Sequence, residues 1–250
     1  MATILNWQIL LKTLPLTVGF CLLKVVLHQF GWEPWQFDAL TGTLFGAATF
    51  VVALVLSGTL ADYRACETMP MQVANAIATM QDSNAMVAAS YPHYDPLPLQ
   101  NGLLAVLERM QEWLQEGKEI ALVEEAVDQL NLLFVPIAQQ SGAIASRLQT
   151  EQAKLRFLVA SIQSNRDTDF LGQAYVLLWI FLLGTVAALL LSGAELFSEN
   201  LTVSAFMFTS FVYLVIFIRD LDNPFQYDGR SSVDVDLSPL KHMGDRLKGE

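Results

Sequence analysis

Charged side chains are so unevenly placed along this sequence that the gaps between them predict most of its architecture. Ala39 to Ala61 runs 23 residues without one, bounded by Asp38 and Asp62. At about 1.5 Å rise per residue, a helix of that length crosses the roughly 30 Å hydrocarbon core of a bilayer. Two more such runs follow, 25 residues from Phe170 to Ala194 and 18 from Leu201 to Ile218. A fourth, Ile4 to Phe30, is interrupted by Lys12, Lys24 and His28. It can cross if Lys12 snorkels to one interface and Lys24 finds a partner or a wet cavity. The pattern predicts four spans, at 8–30, 38–62, 170–194 and 200–219.

The segment between the second and third spans reads as helical throughout. From Ala65 to Ala89 the pattern continues the second span, interrupted only at Pro70, and is rich in Ala, Met and Gln. The prolines of Ser90 to Pro98 make that stretch a loop. Leu103, Val106, Leu107, Met110, Trp113 and Leu114 recur at helical spacing until Gly117. A further helix carries Leu122, Val123, Ala126, Val127 and Leu130 up to Pro136, and a last one places Ile144, Leu148, Leu155, Leu158 and Ile162 on one stripe. There is no strand pattern and no internal repeat. The expected organisation is all-α: membrane helices 1 and 2 in residues 1–62, a helical section in 63–169, membrane helices 3 and 4 in 170–219, and a tail in 220–250.

Composition agrees with a small polytopic membrane protein. Of 250 residues, 53% are hydrophobic and 16% charged, and the mean hydropathy is +0.40, too apolar for an ordinary soluble domain. The first run lacks a basic region before it and a small-x-small cleavage site after it, so it is read as a retained span. Lys12, Arg64, Arg166 and Arg219 lie near span ends, whereas the short connections Gly31–Asp38 and Glu195–Asn200 contain no Lys or Arg. The positive-inside bias therefore places both termini and the middle section in the cytoplasm, with the chain in the plasma (inner) membrane. Trp32 and Trp35 suit the opposite interface. The net charge of -11, without a basic stripe, argues against nucleic acid as a partner.

No catalytic constellation is visible. His28, His93 and His242 are scattered, and no group could serve as nucleophile, base and oxyanion donor together, so no enzymatic activity is expected. Cys21 and Cys66 read as free buried thiols. Glu108, Glu112, Glu116 and Glu119 form a solvated helix face.

Two features carry more. Gly42, Gly46, Ala47, Ala48, Ala53 and Gly58 give the second span a surface that another backbone can approach closely. This is either tight helix packing or the lining of a central pore in an oligomer. The fourth span exits through Arg219-Asp220-Leu221-Asp222-Asn223-Pro224-Phe225. Asn-Pro stops the helix; the segment is either a capped helix end with salt bridges or, with Asn223, Asp228, Asp234 and Asp236, a set of hard oxygen donors of the kind calcium takes.

Three stretches resemble one family. Ile9–Trp32 is similar to the opening helix of bestrophins and the shorter bacterial bestrophin-like proteins, with a Leu-Pro step at Leu14 and Pro15 and Leu-His at Leu27 and His28. Asp62-Tyr63-Arg64-Ala65-Cys66-Glu67 is similar to the family's Tyr-Asp-Arg-x-x-Glu, with the first two residues exchanged, and Asn223-Pro224-Phe225 matches its turn after the fourth span. The resemblance implies a pentameric channel for small inorganic ions, chloride among them, with the second helices forming an apolar neck. Counted back from Arg64, the family's neck positions fall on Ala48, Val52 and Leu56, which would put Leu54 on the opposite, packing face. The family's neck aromatics are smaller aliphatics here. Asn223 and Asp228 match the calcium clasp of animal members, while Ser231 stands where another carboxylate would be. The alternatives are a stator-type proton-channel subunit and a non-conducting membrane scaffold or assembly factor.

Overall fold

Helix ends fall where glycine, proline and short polar side chains interrupt the apolar pattern, and the chain is helical almost everywhere else. The computed structural model describes residues 7–36, 38–167, 172–227 and 233–249. In chain order these form α1 (Trp7–Gln29), β1 (Trp35–Gln36), α2 (Ala39–Ser90), α3 (Leu97–Glu116), α4 (Ala121–Gln140), α5 (Gly142–Asp167), α6 (Gly172–Leu191), β2 (Ser192–Gly193), α7 (Phe197–Asp222) and α8 (Ser238–Lys248). The two strands are a two-residue parallel bridge that pairs Trp35 with Ser192 and Gln36 with Gly193.

The chain divides into two compact units. The first holds α1, the start of α2, α6 and α7. Among the described residues, four helices are long and apolar enough to cross a membrane, and they lie where the charge-free runs predict them, which makes this an integral membrane protein. Less than a third of each apolar window is buried within the protein, so most of their surface is offered to lipid or to another chain. Packing of α1 on α7 is helped by Phe20 stacked on Phe208, with centroids 4.4 Å apart, and by a hydroxyl pair, Thr17 to Thr209, at 2.8 Å. Leu178 and Leu182 of α6 and Phe211, Val212, Val215 and Ile218 of α7 close a core around the inner face of α2.

The second unit takes the rest of α2 from Arg64, with α3, α4, α5 and α8. Its helices are amphipathic in the manner of a soluble bundle. Leu99, Leu103, Leu107, Met110 and Leu114 form the buried face of α3, which ends when Gly117 turns left-handed at φ 71° and returns its N–H to the Glu112 carbonyl. Gly102 marks the close approach of α3 to α4, since a Cβ there would collide with Leu133 Cδ1. The buried Gln152 of α5 donates to the Val127 carbonyl of α4 at 2.7 Å. Arg166 lies over the Trp113 ring and donates to the Trp113 carbonyl at 2.8 Å.

Two expectations need correction. α4 does not stop at Pro136 but continues to Gln140. The proline leaves the Leu132 carbonyl without its usual donor, but Leu132 is exposed to water, and the buried Ile137 anchors the final turn. The C-terminal segment is more than a tail. Pro239 near its start, Leu240, Met243 and Leu247 on one face, and Gly249 at φ 81° after its end build α8, which packs on α3. Leu240 is fully buried, so Leu240→Ala should cost about 2–5 kcal/mol, measurable by thermal or denaturant unfolding of the purified protein.

Candidate functional site

The apolar stretch of α2 is the first place to look for function, because its two faces meet different surroundings. Phe45, Ala48 and Val52 point into the membrane unit; Ala48 is 1% and Val52 3% exposed, both packed in the core with α6 and α7. Leu56 is partly buried against the same cluster. The opposite face is open, with Phe50 68% and Leu54 63% exposed one turn apart. Gly46, Ala53 and Gly58 are exposed, and nothing lies within 4 Å of a Cβ built on Gly42, Gly46 or Gly58. Apart from Ala48, these small residues are therefore not used for packing inside the protomer.

A second feature sits at the end of the membrane unit where α1, α6 and α7 meet their short connections. Lys24, inside the first span, is 0% exposed. Its ammonium ion-pairs with Glu33 at 3.0 Å and donates to the carbonyls of Leu190 at 3.2 Å and Ser192 at 2.5 Å, so the charge sits among three oxygens. Glu33 also contacts His28 Nδ1 at 2.8 Å, and the His28 ring stacks on Phe197 of α7 at 3.9 Å. The Ser192 carbonyl accepts a further bond from Asn200, whose own side-chain oxygen accepts from Ser204. Gly193 lets the two connections meet, because a Cβ there would sit 3.3 Å from Glu33 Cβ and 3.6 Å from its carbonyl. Burial raises the Glu33 pKa, but hydrogen bonds from His28 and Lys24 and their charges outweigh it and hold the carboxyl below its ordinary range.

The residues that carry the sequence resemblance lie apart from this cluster. Arg64 and Glu67 are exposed and form no ion pair among the described residues. Asn223 caps α7, Pro224 and Phe225 are buried, and the Pro224 carbonyl accepts from the Val235 N–H at 2.9 Å. Asn223 Oδ1 is buried without a hydrogen-bond partner among the described residues, a state that suits a cation ligand. It is a single donor. Asp228 and Ser231, which the resemblance groups with it, lie outside the described residues, and those residues contain no group of three His, Cys, Asp or Glu placed to hold a metal.

Compared with solved structures, the architecture is a known one. A bacterial bestrophin homologue from Klebsiella pneumoniae superposes with a TM-score of 0.79 at 13% identity, over 96% of this chain and 98% of that one. Another crystal structure of the same homologue gives 0.79 at 12% identity, over 96% and 97%. A further structure, described only as a membrane protein, gives 0.75 at 11% identity, over 99% and 98%. The fold is that of the bestrophins. No family model and no curated protein matches the sequence.

The stripe Ala48, Val52 and Leu56, expected as a pore neck, lies in or against the core of its own protomer. Leu54, expected on the packing face, is open.

The sequence flagged Lys24 as needing a partner without naming one. A signal was available. Asp38 immediately precedes α2 and is used as its N-terminal cap, accepting from the Thr41 N–H at 2.8 Å and the Thr41 hydroxyl at 2.9 Å. Glu33 is then the one carboxylate of that connection left for the lysine.

Glu33→Gln should cost about 3–5 kcal/mol, because it leaves a buried ammonium without its counterion, whereas the double change Lys24→Met, Glu33→Gln should cost less than the sum of the two single changes. Thermal unfolding of the four proteins gives the coupling directly. The pH dependence has a definite sign. A carboxyl held below its ordinary pKa of 4.5 contributes stability that is present above that value and is lost as pH falls through the lower folded value. In a His28→Phe background, where Lys24 is the remaining partner of the carboxylate, the stability lost on Glu33→Gln should be constant above pH 4.5 and shrink below it.

Proposed function

We propose that this chain is a subunit of an oligomeric, bestrophin-like ion channel, with the open face of α2 from each copy lining a shared pore. The observation that supports it in this chain is the open face itself: a run of small residues with Phe50 and Leu54 projecting one turn apart, none of it used inside the protomer. Repeated around an axis, those two side chains form apolar girdles that an ion crosses only when the passage is wide and wet. A homopentamer is the assembly this reading takes, and chloride the first ion to test. Calcium gating through Asn223 and Asp228 stays a separate proposal that the conduction reading does not need.

Native mass of the purified particle and flux from liposomes, one salt at a time, test the proposal. A homopentamer that conducts supports it. A monomer or dimer without flux favours the scaffold, and flux that depends on a second protein with a membrane carboxylate favours the stator.

The two faces of α2 should then separate by measurement. Leu54→Ala and Phe50→Ala should raise flux with little change in unfolding temperature. Ala48→Phe, which overpacks the core against α6 and α7, should lower stability by about 1–3 kcal/mol without acting as a graded constriction. Equal effects on flux from both faces would remove α2 from the pore.

A further inference from the structure

The second unit contains a cavity of about 660 Å³ between α3, α8 and the segment that leads into α8, within the size range of small-molecule sites. Its apolar floor includes Leu104 and Leu107, and most of its other lining groups are polar. Three charges around it are already matched. Lys248 pairs with Glu108 at 3.2 Å, and the Asp236 carboxylate accepts from the Ser238 N–H and hydroxyl. Two are not. The side chains of Lys241 and Asp245 have no ion pair or hydrogen bond among the described residues, although both line the cavity. They lie four residues apart, on one face of α8, so their charges are neighbours of opposite sign.

Two further features keep this space open and shaped. Gly244 is buried in the middle of α8, where glycine lowers helix propensity, yet the nearest atom to a Cβ there is Leu104 Cδ1 at 3.9 Å, an ordinary contact. Packing would accept alanine; the glycine leaves room in the cavity. Tyr227 is the one non-glycine residue with positive φ among the described residues, at 44°, and its hydroxyl donates to the Val235 carbonyl at 2.7 Å. A strained backbone thus holds a fixed aromatic wall.

We propose that this cavity binds a small zwitterion whose ammonium and carboxylate lie close together, as in a free α-amino acid. The carboxylate goes to Lys241 and the ammonium to Asp245. The ligand's side chain extends over the Leu104 and Leu107 floor beside Tyr227. A simple anion would leave Asp245 repelling it, and a simple cation would meet Lys241, so the pair selects for a molecule carrying both charges.

Binding can be read without any conductance measurement. Full-length protein in detergent is titrated calorimetrically with glycine, L-alanine, L-leucine and L-glutamine, and with the N-acetyl and carboxamide forms of each. The proposal expects that at least one free amino acid binds and that its two blocked forms, each lacking one charge, bind at least about tenfold more weakly. Lys241→Met and Asp245→Asn should each weaken binding to a similar degree. Gly244→Ala should fold at least as stably as the parent and bind more weakly, which separates a filled cavity from a damaged protein. The proposal is overturned if no free amino acid of the set binds, if blocked forms bind equally well, if acetate or ammonium alone binds as tightly, or if the three variants bind like the parent.

Discussion

A fully buried lysine ammonium inside a membrane span is the strictest constraint in this structure. A lone charge there costs several kcal/mol, and the cost is offset only when a counterion and polar oxygens surround it. Lys24 finds three such oxygens, and they come from three separate places: Glu33 in the connection after α1, and the carbonyls of Leu190 in α6 and Ser192 in β2. Satisfying one side chain therefore fixes the paths of two connections at once. The parallel bridge between Trp35 and Ser192, the close approach at Gly193 and the Asn200 bond to the same Ser192 carbonyl all follow from bringing those carbonyls to the ammonium.

The rest of the membrane unit is held by weaker and less directional forces. Lipid tails are as apolar as leucine, so helices there gain little by burying hydrophobic surface against each other. The Thr17 to Thr209 contact and the Phe20 to Phe208 stack supply specific geometry in its place. In the second unit, surrounded by polar residues, amphipathic faces do the organising, and side chains such as Leu107, Leu130 and Leu148 are withdrawn completely.

That contrast explains what could be seen in the sequence. The buried faces of α3, α4 and α5 were legible because water makes the inner and outer positions chemically different; Leu103, Met110, Val127, Leu155 and Ile162 sit where spacing places them. The spans were legible as lengths. The facing of α2 was not, since a helix apolar on all sides carries no mark of which side meets protein, and the choice between Val52 and Leu54 needed the positions of α6 and α7. α8 was written in the sequence as Leu240, Met243, Leu247 and a closing Gly249, but eleven residues among polar neighbours are easily read as a tail.

The order in which these groups are synthesised adds a consequence for biogenesis. Glu33 follows Lys24 by nine residues, while the Leu190 and Ser192 carbonyls follow by 166 and 168. When the first hairpin leaves the ribosome, the lysine already has its counterion nearby, and the pair can enter the bilayer with no net charge. The other two acceptors arrive only with α6. Until then the first span sits in the membrane half-satisfied, and it is the late-made half of the chain that completes it.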